Sequence, residues 1–262
     1  MAKTTFQRNE MKFMLTKAQA DKLLPRLTEY MKPDRYCTDG KYYSIFNIYY
    51  DTPDNHLIRT SLLQPYYKEK LRLRSYSAPV APDSEVFLEL KKKIGGIVNK
   101  RRAAMTLQQA CDFIESGKKP ETSDYINGQV INEIEYFLSC YNVHPALFLC
   151  YKRMAYFGMN DKNFRITLDR DITTRRNDLS FQKGCYGEKL LEDGNYLMEV
   201  KIPGAVPKWL ADLFAEFEIY KTSFSKYGSE YKKYCLNKNK QEPKDIYKSE
   251  FIVVSPKFCT SR

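Results

Sequence analysis

Six stretches of this chain place charged residues on alternate positions, mostly with apolar residues between them. They are Arg8-Asn9-Glu10-Met11-Lys12-Phe13, Lys70-Leu71-Arg72-Leu73-Arg74, Glu85-Val86-Phe87-Leu88-Glu89-Leu90-Lys91, the pair Lys100 and Arg102, Arg165-Ile166-Thr167-Leu168-Asp169, and Leu197-Met198-Glu199-Val200-Lys201. Side chains alternate across a strand, so each stretch has one charged and one apolar face. A single such strand is ordinarily the wet face of an antiparallel sheet. Six that are rich in arginine and lysine, with carboxylates mixed among them, point elsewhere. Their charged faces are expected to converge on one polyanion. The fold class that follows is α+β: an antiparallel β-barrel tunnel of about eight strands, with a charged interior and an apolar wall covered by helices.

The order of elements is consistent with that architecture. Strands are expected at 6–15, 42–50, 68–77, 85–93, 98–106, 146–157, 163–169 and 196–202. Ile94-Gly95-Gly96-Ile97 reads as a hairpin. Thr16 with Gln19 and Thr106 with Gln109 form capping boxes that open helices, the first running to about 31 with Pro25 inside it. A short helix over 57–62 follows the turn Asp51-Thr52-Pro53-Asp54, and further helices are expected at 127–141, 207–220 and 225–236. Residues 171–194 read as irregular. One catalytic domain over 1–236 is expected, followed by a basic tail, 237–262, that is part of the same domain or mobile.

Lys plus Arg outnumber Asp plus Glu by 43 to 32 among 262 residues, a formal charge of +11. That favours acidic partners without choosing among them. Seven cysteines with no C-x-x-C pair argue against a disulfide framework or a zinc site and for free thiols in a reducing compartment. His56 and His144 are the only histidines, too few for a histidine zinc site or a catalytic triad. The N-terminal residues lack an apolar signal core and no run reaches the length of a membrane span. A soluble, cytoplasmic protein is expected.

Holding a triphosphate away from bulk water takes several guanidinium and ammonium groups. Arginine donates two hydrogen bonds to a phosphate from one planar fork, and lysine supplies a compact charge. Glu10, Glu89 and Glu199 share the parity of these cations, and Asp169 closes the Arg165 face. A carboxylate beside bound phosphates is the expected seat of a hard divalent ion. In Lys91-Lys92-Lys93 and Lys100-Arg101-Arg102, parity sends Lys92 and Arg101 outward. Nucleic acid is not an expected partner, since its binding needs charge on an exposed face.

These residues resemble a known set. Arg8-Asn9-Glu10-Met11-Lys12 is similar to the R-x-E-x-K first strand of the VTC (vacuolar transporter chaperone) polyphosphate polymerase domain, one of the triphosphate tunnel metalloenzymes. Tyr49-Tyr50-Asp51-Thr52, Lys70-Leu71-Arg72-Leu73-Arg74, Glu89-Leu90-Lys91 with Lys100-Arg101-Arg102, Tyr151-Lys152-Arg153, Arg165 through Asp169, Met198-Glu199-Val200-Lys201 and Ser225-Lys226-Tyr227 follow in the family's order over about 6–235. The resemblance implies transfer of the γ-phosphate of ATP onto a growing polyphosphate chain. It implies catalytic roles for Arg72, Arg74, Lys91, Arg153, Arg165 and Glu199. Phosphate contacts would come from Arg8, Lys12, Lys70, Lys100, Arg102, Lys201 and Lys226. Mn²⁺ or Mg²⁺ would sit on Glu199, with Glu10, Glu89 and Asp169 as further candidates.

Two features bear on the branch. Arg8 replaces the leading glutamate of the wider E-x-E-x-K signature, which fits the polymerases. Ser223 stands where a lysine is expected, with Lys221 the nearest compensation. The membrane-spanning regions of the eukaryotic relatives are not in this sequence, so coupling to transport would need a separate membrane partner. The alternatives are a triphosphatase of the same fold and a non-catalytic module for polyphosphate or inositol phosphates.

Overall fold

A computed structural model of the chain describes residues 9–37 and 40–241. Eleven strands among the described residues form one antiparallel sheet. In chain order they are β1 (Asn9–Leu15), β2 (Met31–Pro33), β3 (Tyr43–Asp51), β4 (Tyr67–Ser75), β5 (Glu85–Ile94), β6 (Ile97–Thr106), β7 (His144–Gly158), β8 (Arg165–Arg175), β9 (Glu188–Lys189), β10 (Tyr196–Ile202) and β11 (Lys221–Thr222). The main path runs β11-β1-β10-β8-β7-β3-β4-β5-β6, with β2 added to β7 and β9 to β8. Six α-helices among the described residues complete the fold: α1 (Lys17–Leu27), α2 (His56–Leu62), α3 (Leu107–Ser116), α4 (Tyr125–Cys140), α5 (Lys208–Glu216) and α6 (Lys226–Gln241).

The apolar parity of each strand faces the helices. Leu71, Leu73, Leu88, Leu90 and Ala103 pack beneath Ala110 and Phe113 of α3 and Ile131, Ile134 and Phe137 of α4. Phe13, Leu15, Ile166, Leu168, Met198 and Val200 pack beneath Leu23 and Leu27 of α1 and Leu210 and Leu213 of α5. A third cluster lies on the opposite, inner side, where Ile45, Tyr49, Leu147, Leu149 and Leu197 gather under Tyr227 of α6. The helices therefore coat the outside, while one turn of α6 closes over part of the inside.

The sheet is curled rather than sealed. β6 and β11 end the path, and no pairing joins them among the described residues. The curl still brings distant strands face to face: the Glu10 carboxyl on β1 feels the ammonium of Lys91 on β5. The expected tunnel is thus a curled sheet of more strands than expected, the extra ones being the two- and three-residue pieces β2, β9 and β11.

Both capping boxes form, with the Thr16 and Thr106 hydroxyls accepting from the Gln19 and Gln109 amides at 3.3 and 3.1 Å. The helix from Thr16 stops at Leu27, short of the expected 31, and Met31 opens β2 on β7 instead. Residues 171–175 are strand rather than irregular. A bulge between Cys150 and Lys152, with Asp171 at φ +52°, shifts the alternation so that β8 continues to Arg175. A period-2 reading loses a strand at such a shift. α6 runs to Gln241, past the helix end expected at 236. The remainder of the basic tail lies outside the described residues, as does Arg8.

The free-thiol expectation is corrected at two positions. Cys150 on β7 is bonded to Cys185, in the loop before β9. The partners are 35 residues apart and meet only because that loop folds back across the sheet, which no local spacing announces. Cys37, Cys111, Cys140 and Cys235 are free, and Cys259 lies outside the described residues.

Candidate active site

Glu89 organises one half of the inner face. The register of β4, β5 and β6 sets Arg72 and Arg102 directly across from it and Lys91 across from Lys70 and Lys100. Its Oε2 accepts from Arg72 Nε at 2.6 Å, its Oε1 accepts from Arg102 Nε at 2.7 Å, and Lys100 Nζ lies 2.7 Å from the same oxygen. Arg74 Nη1 stands 3.8 Å away. Burial by itself would raise the Glu89 carboxyl. The charges of Arg72, Arg74, Lys100 and Arg102 outweigh it and hold the group well below the usual carboxylate range.

The arginines of this half are themselves held. Arg74 Nε donates to Asn47 Oδ1 at 3.0 Å, and Arg72 Nη1 donates to the Tyr49 hydroxyl at 3.0 Å. Tyr151 accepts from Arg74 Nη2 at 3.4 Å. Sequence reasoning met Tyr49 only as part of the Tyr49-Tyr50-Asp51-Thr52 motif, without a role for its hydroxyl, and passed over Asn47. A polar residue on the inner parity of a strand beside two arginine positions is the signal that could have found Asn47.

Asp169 organises the other half. Arg153 grips it bidentately, Nε to Oδ1 at 2.6 Å and Nη2 to Oδ2 at 2.8 Å. Lys226, from the first turn of α6, reaches Asp169 Oδ2 at 2.6 Å and Glu199 Oε1 at 3.2 Å. Lys201 lies 3.8 Å from Glu199 and 3.7 Å from Glu10, whose other oxygen is 3.6 Å from Lys12. Burial opposes ionisation of Glu199, but Lys226, Arg153, Lys201 and Lys12 pull its carboxyl well below the ordinary range. Lys226 moves the opposite way from a simple buried lysine: Asp169 and Glu199 overcome the burial and raise it.

For Lys70, Lys91 and Lys100 the nearby carboxylates do not outweigh burial and the neighbouring cations. Burial, then the charges of Lys91, Lys68 and Lys12, push Lys70 down to about 7. Lys91 is likewise lowered by burial and by Lys12, Arg72 and Lys201, with Glu10 opposing. Burial pushes Lys100 down to about 6, with Glu89 opposing and the neighbouring arginines adding to it. Its side chain keeps 39% of its surface, while its ammonium rests against the fully buried Glu89. The inner face is therefore short of negative charge where a ligand would bring it.

The outward residues behave as parity requires. Lys92 and Arg101 both turn to Glu133 of α4, at 3.8 and 3.0 Å. His56 and His144 lie at exposed positions away from this face. The Tyr-Tyr-Asp-Thr segment has a structural duty. The buried Asp51 carboxylate accepts from the amides of Thr52, Leu57 and Ile58 and from the Tyr227 hydroxyl at 2.8 Å. It caps α2 and fastens the turn of α6 that delivers Lys226.

For a divalent ion the carboxylates differ in what they offer. Glu89 and Asp169 are fully buried and saturated by close cations. Glu199 and Glu10 have cations at longer range. Beside Glu199 in the register lies Thr167, whose hydroxyl oxygen is buried with no hydrogen-bond partner among the described residues. No group of three or more His, Cys, Asp or Glu residues that could hold a metal is found among the described residues. A hard ion that keeps waters and takes one or two carboxylates plus phosphate oxygens fits Glu199 with Glu10.

A curled antiparallel sheet with cations and carboxylates on its concave face and helices on its convex face is the fold of the triphosphate tunnel proteins. A protein from Bacillus halodurans provisionally assigned as an adenylate cyclase shares it, at a TM-score of 0.50 and 15% identity over 82% of this chain and 92% of that one. So does HpAC1 from Hippeastrum, described as an adenylyl cyclase candidate with a dominant triphosphatase activity, at 0.50 and 16% over 87% and 96%. At these identities the likeness is one of fold alone. The chain belongs to the VTC domain family, whose model matches residues 7–235. None of the curated proteins matches it in sequence.

Proposed function

We propose that this protein is an ATP-dependent polyphosphate polymerase, transferring the γ-phosphate of ATP to the end of a polyphosphate chain. The observation that carries the reading is the VTC family match taken with the convergence of Arg72, Arg74, Lys91, Lys100, Arg153 and Arg165 on one concave face. Phosphoryl transfer passes through a loose transition state whose charge is spread over the transferred oxygens, so positioning and electrostatics do most of the work. In this reading Arg72, Arg74 and Arg102 turn from Glu89 toward donor phosphates, with Lys70, Lys91 and Lys100 closing on them. Arg153, Arg165, Lys201 and Lys12 hold the other end of the phosphate track, and Lys226 adds a contact from α6. Arg8 would extend the track at the start of β1.

The attacking group is a terminal phosphate that is already ionised, so no general base is needed, in keeping with histidines that lie off this face. Mn²⁺ or Mg²⁺ on Glu199, with Glu10 and the Thr167 hydroxyl beside it, would neutralise charge on the donor oxygens. We place the enzyme in the cytoplasm, where ATP is made available. No helix among the described residues is long and apolar enough to cross a membrane, and we propose a separate membrane partner for any transport of the product.

A hydrolase of the same fold is the second reading, favoured by the triphosphatase activity described for the Hippeastrum protein. The products separate the two. Pure protein incubated with ATP, Mn²⁺ and a short polyphosphate primer should give ADP and long polymer on a polyphosphate-staining gel. Orthophosphate without polymer at any primer or metal concentration indicates the hydrolase, and binding without turnover indicates a non-catalytic module.

A further inference from the structure

The turn of the β5–β6 hairpin carries a feature that phosphate binding does not use. Lys91-Lys92-Lys93 precede Ile94-Gly95-Gly96-Ile97-Val98, and Lys100-Arg101-Arg102 follow, with no carboxylate between Lys91 and Arg102. Ile94 pairs with Ile97 across the turn, and the two leave 44% and 52% of their surface to solvent. The covering helices stop short of them. α3 and α4 pack on Ala103 and Met105 further along β6, whereas Ile94 through Lys100 are exposed on both faces of the ribbon.

The loop between α2 and β4 enlarges this apolar tip. The Gly95 amide donates to the Tyr66 carbonyl at 2.9 Å, Gly95 has a φ of +54°, and a Cβ there would lie 3.0 Å from the Tyr66 ring. The glycine thus lets that ring lie against the turn, where it keeps 77% of its surface exposed. Tyr67, across from Ile94 in the register, is exposed as well. Single exposed apolar residues are ordinary; a group of them on one turn, ringed by cations, marks an interaction site. The ring is not balanced by carboxylates of its own. Lys92 and Arg101 share Glu133, and Lys93 faces Lys68, which burial and then the charges of Lys93 and Lys91 push down.

We propose that this hairpin docks the protein on an anionic membrane surface, with Ile94, Ile97 and Tyr66 entering the boundary between headgroups and acyl chains and Lys92, Lys93 and Arg101 lying against lipid phosphates. Apolar side chains bury area at that boundary, long cationic side chains reach back to the headgroups, and the surface potential of anionic lipid favours the positive ring. A convex tip would need a matching groove on a protein partner, whereas a lipid surface yields to it. The chain binds from one side without spanning. Lys68 and Lys93 share the parity of the concave cations, so the mouth at this end of the concave face opens at the lipid surface. The inference stands apart from the polymerase reading, since membrane binding is measured with no nucleotide present.

The test is co-sedimentation of the full-length protein with phosphatidylcholine vesicles, with and without phosphatidylglycerol. Binding should require the anionic lipid and weaken as salt is raised. Ile94→Ser combined with Ile97→Ser should lower the affinity for anionic vesicles by about tenfold or more, with the melting temperature and the turnover of ATP in the absence of vesicles unchanged. If the double variant does not fold, Ile97→Ser alone, at the more exposed of the two positions, decides the matter. Ile126→Ser is the control: Ile126 is an exposed aliphatic on α4 beside Asn127, which meets Ala104 toward the other end of β6, and its variant should bind like the unaltered protein. Full binding by the hairpin variant overturns the proposal and leaves the concave cations as the groups that meet lipid. Equal losses in the hairpin and control variants overturn it too. So does a lack of vesicle binding, and hairpin-dependent self-association seen by light scattering would then assign the tip to a second copy of the chain.

Discussion

Arg72 and Arg74 are proposed to serve the phosphate site while contributing little to folding. Each contributes to a crowd of like charge around Glu89, which keeps Lys100 and Arg102 if either arginine is removed. Arg72→Ala or Arg74→Ala should therefore weaken polyphosphate binding by about ten- to a hundredfold, the loss of a charged hydrogen bond of about 1.5–3 kcal/mol, with the melting temperature little changed. Arg101→Ala is the control, because Arg101 faces Glu133 on α4 and not the concave side. Filter binding of labelled polyphosphate to the three variants checks this, and equal losses for Arg101 and Arg72 would refute the inward assignment. Glu199→Gln keeps shape while removing an anionic ligand. Turnover should collapse and the fold survive, with metal-free polyphosphate bound as well as before or better; normal ATP turnover would remove Glu199 from the metal proposal. At this scale the sequence was informative for the charged groups themselves, since alternation alone assigns their side of the strand. Of the neutral supports, only the side of the strand was legible, as for Asn47, and not the partner. Nothing in the spacing of Asn47, Tyr49 or Tyr151 tells that each accepts from a particular arginine, because those bonds cross between strands.

The elements divide the labour between wall and site. Leu71 lies one residue from Arg72 but on the opposite face, wholly buried against the cluster under α3 and α4. Leu71→Ala should cost about 2–5 kcal/mol of stability through the cavity it leaves, measured by denaturant unfolding, while the protein that remains folded keeps its phosphate affinity. The Cys150–Cys185 bridge closes a loop of 35 residues, and Cys185→Ser should lower stability by about 3–4 kcal/mol through the freedom returned to the unfolded chain. Unchanged unfolding midpoints for the serine variant and for reduced protein would show that the bridge does not form in solution. Helices that begin in a capping box were readable because the motif is local. β9 and β11 were not, since two residues carry no period, and β8 was cut short where its bulge resets the alternation.

For the molecule as a whole, a ligand on the concave face is expected to couple its charge to proton uptake. Lys70 is held down to about 7 and Lys100 to about 6 by burial and neighbouring cations. A polyanion reverses the balance by favouring the charged forms. Binding at pH 7.5–8.5 should therefore take up protons, and the apparent affinity should fall as the pH rises through that range. Calorimetry in buffers of differing ionisation enthalpy measures the uptake directly; heats independent of the buffer would count against it. The sign for the empty protein follows from the same depressed values. Its unfolded chain binds protons at these lysines that the folded chain does not, so their contribution to stability grows more favourable between pH 7 and 10. The curl of the sheet was inferable from faces that had to converge, whereas its open edge between β6 and β11 was not, because closure depends on strand tilt that no pattern encodes.

The strict alternation of site and wall along β4 also governs which changes of length the gene can tolerate. Deleting one residue between Tyr67 and Leu71 would exchange the two sides of the strand beyond it, sending Leu73 to the phosphates and Arg72 and Arg74 into the apolar layer under α3 and α4. Deleting two would restore the sides and shift only which cation meets Glu89. Viable length variants of this protein should therefore cluster in its turns, and within strands should come in pairs of codons. A scanning-deletion library selected for folded protein would show that rhythm as survival at even, and loss at odd, numbers of removed residues.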